Sequence, residues 1–284
     1  MNVIIEDYSK KNKKMKIFYV VIILICIISV IATIIIQVGE EKNKTPSNPT
    51  LPELTNNQIS QYKDDFDSIF ENKVNYLKNN SYKISKLNQD EEIIYIGYKN
   101  NESQVNDYEL DVKIPYININ NKEIEEFNKQ IKDTFEKKAK SVINSKGNNI
   151  IYSVNYCAYI SNNILSLVIR STLKEGSNPQ RDIIQTYNYD LENQNKYTID
   201  DILKMKNLTK KEANKAISKE IKKVQEKVDE LRKLGYEIYE RDYTSDMYSI
   251  NNVTEYFIGE DNALYIVYAY GNENNTSEMD IVVM

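Results

Sequence analysis

Paired carboxylates are the residues in this sequence whose types and spacing could do chemistry. Four acidic doublets carry them: Asp64-Asp65, Glu91-Glu92, Glu125-Glu126 and Asp200-Asp201. Two carboxylates can act as general acid and general base, as they do in glycoside hydrolysis. Side chains that are adjacent in sequence usually point apart, however, and such doublets are typical of solvated surfaces and helix N-termini. We therefore expect surface charges here, and a carboxylate-only envelope hydrolase is the enzymatic alternative.

The composition excludes other kinds of catalytic site. The sequence has no histidine, so it cannot carry a Ser-His-Asp or Cys-His mechanism or a histidine-containing zinc site. Its seven glycines are dispersed and form neither a GxGxxG motif nor a P-loop. Cys26 lies in an apolar run and Cys157 in a strand-like segment, so we expect no disulfide and a small core residue at Cys157. The prediction is a protein that is not an enzyme and has no cofactor or metal.

One connection has the composition of a recognition loop. Residues 174–181, KEGSNPQR, form the most turn-rich link in the chain, and loops of this kind often carry binding residues. Its candidate partner-binding residues are Glu175, Ser177, Asn178 and Arg181. A plain hairpin turn is the alternative interpretation.

A long apolar segment near the N-terminus predicts a membrane anchor. Residues 17–38, IFYVVIILICIISVIATIIIQV, contain no charge and are long enough as a helix to cross a hydrocarbon core of about 30 Å. Five lysines precede this segment and two glutamates follow it, so the positive-inside rule keeps the N-terminus in the cytoplasm. We interpret 1–16 as a basic cytoplasmic tail, 17–38 as a transmembrane signal anchor and 39–54 as a proline-containing linker. Everything beyond the anchor is then extracytoplasmic.

Hydrophobic periodicity predicts an α+β fold in the remaining chain, with a mainly antiparallel sheet and packed helices. We divide it into a first α+β unit, 55–147, and a second α+β domain, 148–284. The predicted helices are 57–79, one from Asn121 to about 146, a short one after Thr198, and one opened by the capping box Thr209-x-x-Glu212. The predicted strands are 93–98, 108–116, three consecutive ones starting near 150, 165 and 183, and the segments 264–270 and 279–284.

The charge of the predicted extracytoplasmic part favours a basic partner. Beyond residue 38 the chain has 32 basic and 40 acidic residues, a net charge near −8. A protein of this charge repels nucleic acid and attracts cationic surfaces. We expect a basic protein of the cell envelope as the partner, and no nucleic acid.

Several segments carry a family resemblance. Residues 162–203, NNILSLVIRSTLKEGSNPQRDIIQTYNYDLENQNKYTIDDIL, resemble the C-terminal domain of the lysozyme-sensing anti-sigma-V factor RsiV, which is also found in PdaC-type peptidoglycan deacetylases. The ending VTEYFIGEDNALYIVYAYGNENNTSEMDIVVM follows the same family, and YELDVKIPYININNKEIEEFNKQI resembles the domain of unknown function that precedes it. The resemblance covers about 82–284. It implies an extracytoplasmic α+β domain that binds lysozyme and controls proteolysis of an anti-sigma factor.

The sequence departs from that family at one loop and in its tail. Members commonly place a Gly-Ala-His sequence after the second strand, where this chain has Gly176-Ser177-Asn178. The 16-residue tail offers little room for a sigma-binding segment. We therefore expect a membrane-anchored, extracytoplasmic binding or sensing protein of the bacterial cell envelope, with lysozyme as a candidate partner. An anti-sigma factor that regulates an extracytoplasmic-function sigma factor is the alternative.

Overall fold

The computed structural model describes residues 54–77, 83–145, 149–270 and 278–284. The predicted cytoplasmic tail, the predicted transmembrane helix 17–38 with Cys26, and nearly all of the predicted linker lie outside these ranges. Among the described residues, no helix has both the length and the apolar character needed to span a bilayer. Residues 51–284 form one compact unit, and the fold below is that of this unit.

Three of the described helices begin with a capping box, and the sequence predicts one of these boxes, Thr209 with Glu212. The helices are α1 (Asn56–Asp64), α2 (Lys122–Ile131), α3 (Lys137–Ile143), α4 (Ile199–Met205) and α5 (Lys210–Lys233). A π-helical turn, Lys132–Glu136, joins α2 to α3. Thr198 and Asp201 cap α4, and Thr209 and Glu212 cap α5. In each pair the threonine hydroxyl accepts from the backbone N–H of the acidic residue, and the carboxylate accepts from the backbone N–H of the threonine. The predicted helix starts at Asn121, Thr198 and Thr209 are confirmed.

In the described ranges, ten strands form two sheets. They are β1 (Lys73–Tyr76), β2 (Ile94–Gln104), β3 (Tyr108–Ile117), β4 (Ile150–Ser161), β5 (Ile164–Glu175), β6 (Arg181–Asp190), β7 (Asn195–Lys196), β8 (Glu255–Ile258), β9 (Leu264–Ala269) and β10 (Met279–Val283). The large sheet has the order β2-β3-β4-β5-β6-β7, with β1 also paired to β4. The small sheet is antiparallel in the order β10-β9-β8. The α+β class is confirmed, and so are the three consecutive strands β4 to β6.

The large sheet is mixed, and most of its strand pairs are antiparallel, as predicted. Strands β3 and β1 both run parallel to β4, while its third neighbour, β5, pairs antiparallel. The parallel β3–β4 pair follows from the crossover through α2 and α3, because a parallel connection needs a long return segment. Strand β4 follows the predicted domain boundary at 147/148, yet it pairs directly with β3 from before that boundary.

The predicted helix over 57–79 is wrong beyond residue 64. Helix α1 ends there, a 3-10 turn follows at Phe66–Ser68, and β1 begins at Lys73. The apolar residues at helical spacing still reach the core, since Phe66 is fully buried. The backbone then reverses at Asn72, whose φ of 58° is left-handed and cannot continue a helix. Tertiary pairing of β1 with β4 overrides the helical pattern.

The described fold has four layers, which are α2–α3, the large sheet, the small sheet and α4–α5. An apolar core lies between each layer and the next. The first core lies between α2–α3 and one face of the large sheet and includes Phe127, Phe135 and Tyr156. The second lies between the opposite face of the large sheet and the small sheet and includes Tyr159 and Phe257. The third lies between the small sheet and helices α4 and α5. Each sheet is therefore buried on both faces, which explains the strand segments that are apolar on both sides.

Polar side chains join the two sheets where β8 meets the large sheet. The Ser166 hydroxyl accepts from the Ile258 N–H at 3.1 Å, and the Thr186 hydroxyl accepts from the Tyr256 N–H at 3.1 Å. The Asn188 side chain donates to the Tyr256 carbonyl at 2.7 Å. The outer edge of β8 is thus satisfied by side chains instead of by another strand, and β8 is held against β5 and β6.

Asn72 fills the gap that β3 and β1 leave along β4. Strand β3 pairs with Ile150 to Val154, and β1 pairs with Cys157 to Ile160. Between them the Asn72 N–H donates to the Tyr156 carbonyl at 2.9 Å, and the Asn72 side-chain oxygen accepts from the Tyr156 N–H at 3.1 Å. The amide side chain therefore replaces a missing strand partner in the centre of the sheet.

We expect Asn72→Gly to lower the free energy of unfolding by about 1–3 kcal/mol, because it keeps the left-handed φ but leaves the Tyr156 N–H without an acceptor. Asn72→Ala should lose roughly 1 kcal/mol more, since alanine disfavours that backbone conformation. Chemical denaturation monitored by circular dichroism measures both values. The control is Asn106→Gly, at an exposed position with φ 66°, which should change stability by under about 0.5 kcal/mol. Equal losses at Asn72 and Asn106 would contradict the bridging role.

Candidate partner-binding cleft

The predicted recognition loop is the tip of the β5–β6 hairpin. Glu175 is ion-paired with Arg181 across its base and with Lys138 of α3 at 3.1 Å. The Asn178 N–H donates to the Glu175 carbonyl at 3.0 Å, which closes the turn. Ser177 and Asn178 are exposed at the tip. The structure thus brings the four predicted residues together, with Glu175 and Arg181 holding the hairpin and Ser177 and Asn178 on its surface.

An open cleft of about 490 Å³ begins one residue beyond Arg181. Asp182, Ile183 and Ile184 of β6 form one wall, and the end of β9 with the segment before β8 forms the other. This size lies within the range of ordinary ligand sites. The cleft lies at the junction of the two sheets, where β6 passes the small sheet.

The walls of the cleft include strand edges with no strand partner among the described residues. Strand β7 covers β6 only at Tyr189 and Asp190. The Thr186 N–H and the Asn188 carbonyl both point to that outer edge, since Glu255 and Tyr197 bond them there. Backbone direction alternates along a strand, so Asp182 and Ile184 also present their N–H and C=O groups to the outer edge.

Strand β9 contributes a second such edge. Its pairing with β8 ends at Val267, opposite Glu255, because the chain before β8 turns away. Leu264 and Tyr270 bond towards β10, so the odd-numbered residues of β9 face the β8 side. The backbone of Ala269 therefore faces the cleft, which Ala269 lines.

Two carboxylates, those of Asp182 and Glu255, line the cleft. The Asp182 carboxylate accepts from the Arg170 guanidinium at 3.2 Å and from the Thr172 hydroxyl at 2.7 Å. The Glu255 carboxylate accepts from the N–H and the hydroxyl of Thr186, at 2.7 and 3.0 Å. Burial raises the pKa of Glu255 above its ordinary value, and the two Thr186 bonds oppose that rise only in part. A cationic group placed in the cleft would favour the charged form of Glu255.

Two apolar residues that line the cleft are open to solvent. Ile183 is 53% exposed and Met247 is 40% exposed, and both line the cleft. The sequence predicts Ile183 on the same face as Tyr187 and Tyr189, and those two tyrosines are buried. Ile183 lies further along β6, towards the hairpin, where its side chain is left uncovered. Addition of an extended segment to a sheet edge would use such apolar residues beside strand edges that no described strand covers.

The acidic doublets have structural roles or face solvent. Glu125 and Glu126 lie exposed in the first turns of α2, and Asp201 caps α4. Asp64 and Asp65 are exposed at the end of α1. Glu92 accepts a hydrogen bond from the Tyr76 hydroxyl at 2.9 Å. Each doublet lies on a different element, as expected of surface and capping charges.

Cys157 is a core residue, as predicted. It is fully buried in the layer between the two sheets. Burial raises the pKa of its thiol to about 11, which opposes formation of the reactive thiolate. Among the described residues, no group of three or more Cys, Asp or Glu side chains is placed to hold a metal ion.

Sequence reasoning missed the cleft itself. Its walls come from β6, β9 and the segment before β8, which are far apart in the chain, and β8 was not predicted at all. Two local features of the sequence lie next to the cleft. One is the predicted binding loop at 174–181, which ends beside Asp182, and the other is Ile183 in the strand after that loop.

Comparisons with known proteins show a likeness in structure at low sequence identity. The sequence matches no family model. It also matches no curated protein. A crystal structure of a DUF3298 family protein from Pseudomonas aeruginosa PAO1 is similar to this chain with a TM-score of 0.39 and 7% sequence identity, over 72% of this chain and 90% of that chain.

The half-buried carboxylate of Glu255 predicts a pH effect that can be measured. Because the pKa of Glu255 is raised in the folded state, its protonation favours folding below that pKa, and this stabilisation is lost as the pH rises through it. Glu255→Gln is neutral throughout. The unfolding free energy of the variant minus that of the wild type should therefore increase between about pH 4.5 and about pH 7.5. Urea unfolding at both pH values tests this, and a difference that stays constant or falls would contradict it.

Proposed function

We propose that residues 54–284 form a protein-binding module of the bacterial cell envelope rather than an enzyme. The predicted helix 17–38 would anchor this module in the membrane with the module outside the cytoplasm. The observation that carries the proposal is the cleft beside β6. There, strand edges that have no strand partner within the described ranges occur together with exposed apolar residues and two carboxylates.

The mode of binding that fits this cleft is addition of an extended segment to a sheet edge. Asp182 and Ile184 offer backbone donors and acceptors along β6, and Ala269 offers them across the cleft. Main-chain hydrogen bonds then supply affinity, and the apolar side chains of Ile183 and Met247 supply contact area. The β5–β6 hairpin tip with Ser177 and Asn178 lies next to this edge and can contact the same partner.

Charge favours a basic partner. Asp182 and Glu255 lie in the cleft, and the chain beyond residue 38 has a net charge near −8. A lysine or arginine of the partner near Glu255 would stabilise the carboxylate that burial destabilises. Lysozyme, the partner implied by the sequence resemblance, is strongly basic and is the first candidate to test.

Biolayer interferometry of residues 51–284 against immobilised lysozyme tests the proposal, with an unrelated basic protein as the specificity control. We expect saturable binding to lysozyme that weakens at higher salt, because the cleft is acidic. Binding to both proteins alike, or to neither, would count against lysozyme as the partner. The same immobilisation with envelope extracts then tests other basic proteins.

Substitution in the cleft locates the binding surface. Met247→Arg places a long cation on the cleft wall, so we expect at least a tenfold loss of affinity for a basic partner, or about 1.4 kcal/mol. Val105→Arg is the matched control, since Val105 is 88% exposed at the distant β2–β3 turn and the charge change is the same. Circular dichroism checks that both variants are folded. Equal affinities of the two variants would place the binding surface elsewhere.

A further inference from the structure

Helix α5 is basic in a chain that is acidic overall. Its 24 residues, KKEANKAISKEIKKVQEKVDELRK, contain nine lysines and arginines and five acidic residues. The whole chain has a formal net charge of −5. The positive charge of the helix is therefore local, and its distribution over the helix surface decides what it can bind.

Four lysines form one row along the solvent side of α5. Lys211, Lys215, Lys219 and Lys222 recur at spacings of four, four and three residues and are all exposed, on the side opposite the buried Ile217. At 1.5 Å per residue the row is about 16 Å long. We refer to these four residues as the lysine row.

The lysine row has no ion-pair partner in the described part of the chain. The ion pairs of lysines on this helix belong to Lys210, with Asp200 at 2.9 Å, and to Lys223, with Glu220 at 2.7 Å. Both of those lysines lie outside the row. The four charges of the row are thus available to an external anion.

An exposed aromatic ring flanks the row. The Lys222 ammonium lies 6.0 Å from the centroid of the Tyr243 ring, and Tyr243 is 37% exposed. The loop that carries Tyr243 is held in place, because the buried Arg241 makes a bidentate ion pair with Asp280 at 3.0 and 3.1 Å. Lysines beside a fixed, exposed tyrosine are typical of surfaces that rest on a lipid headgroup layer.

The chain enters the fold next to this helix. Lys63, at the end of α1, is ion-paired with Glu220 in the middle of α5. Residues 39–53 separate the predicted anchor from the described fold and can span at most about 50 Å. A domain tethered over that distance stays close to a bilayer, where even weak surface attraction is effective.

We propose that the lysine row and Tyr243 dock the domain onto an anionic phospholipid bilayer. The row supplies attraction to phosphate headgroups, and the Tyr243 ring lies at headgroup level, which a soluble polyanion would not require. Neither the lysine row nor Tyr243 lines the cleft beside β6, so different variants test binding of a protein partner and docking on lipid.

Vesicle co-sedimentation of residues 51–284 tests the proposal, since all three cores of the compact unit are built from residues of this segment. The vesicles contain either phosphatidylcholine alone or phosphatidylcholine with about one third phosphatidylglycerol. We expect sedimentation only with the anionic vesicles, and release as salt is raised. Equal binding to both vesicle types, or to neither, would overturn the proposal.

Charge reversal assigns the surface. The triple variant Lys215→Glu, Lys219→Glu and Lys222→Glu should lower the partition onto anionic vesicles at least about tenfold. The control is Lys83→Glu, Lys99→Glu and Lys132→Glu, which makes the same charge change at exposed lysines of other segments and should lose much less. Equal losses in the two triple variants would show a general charge effect and overturn the assignment.

A last variant separates lipid from a soluble polyanion. Tyr243→Ala should weaken binding to anionic vesicles but leave binding to inorganic polyphosphate unchanged, because only the vesicle offers an interface for the ring. If the wild-type domain binds polyphosphate and no vesicle, the lysine row is a polyanion site and the proposal is wrong. Lysozyme binding by the lysine variants should remain that of the wild type.

Discussion

Strand β4 is hydrogen-bonded along both edges and buried on both faces, and the rest of the fold is arranged around it. One edge pairs along its whole length with β5, and the other is divided between β3 and β1, both parallel to it. Alternate side chains enter the core under α2–α3 or the core between the sheets. A buried strand cannot leave backbone groups unpaired, so the gap between β3 and β1 needs Asn72.

The second sheet depends on the first through polar contacts as well as apolar ones. Ser166, Thr186 and Asn188 bond the outer edge of β8, so this edge strand cannot pair with another strand. The same contacts fix where the small sheet lies against β6. Because β8 is short, the outer edge of β6 and the end of β9 extend past it, and the cleft is the space between them. The candidate binding site is therefore a consequence of how the two sheets are joined.

Charge is distributed unevenly over this framework. The two carboxylates of the cleft and the lysine row of α5 lie on different elements, β6 with the start of β8 in one case and the outer helix in the other. Each surface favours a partner of opposite charge. Taken together, the two proposals describe a domain that holds a basic protein close to an anionic bilayer.

The sequence by itself predicts the local features of this protein, such as helix starts and strands, but it does not predict which distant strands pair. Capping residues such as Thr209 and the strand at 108–116 depend on neighbours in the chain, and both predictions are confirmed. The loop at 174–181 was placed correctly between two strands, but the cleft beside it joins segments far apart in sequence. The helical spacing from Phe66 to Leu77 was misleading, because pairing of β1 with β4 outweighs local periodicity. Only the tertiary structure decides which tyrosines are buried and that Ile183 is exposed, since burial depends on where the neighbouring layers end.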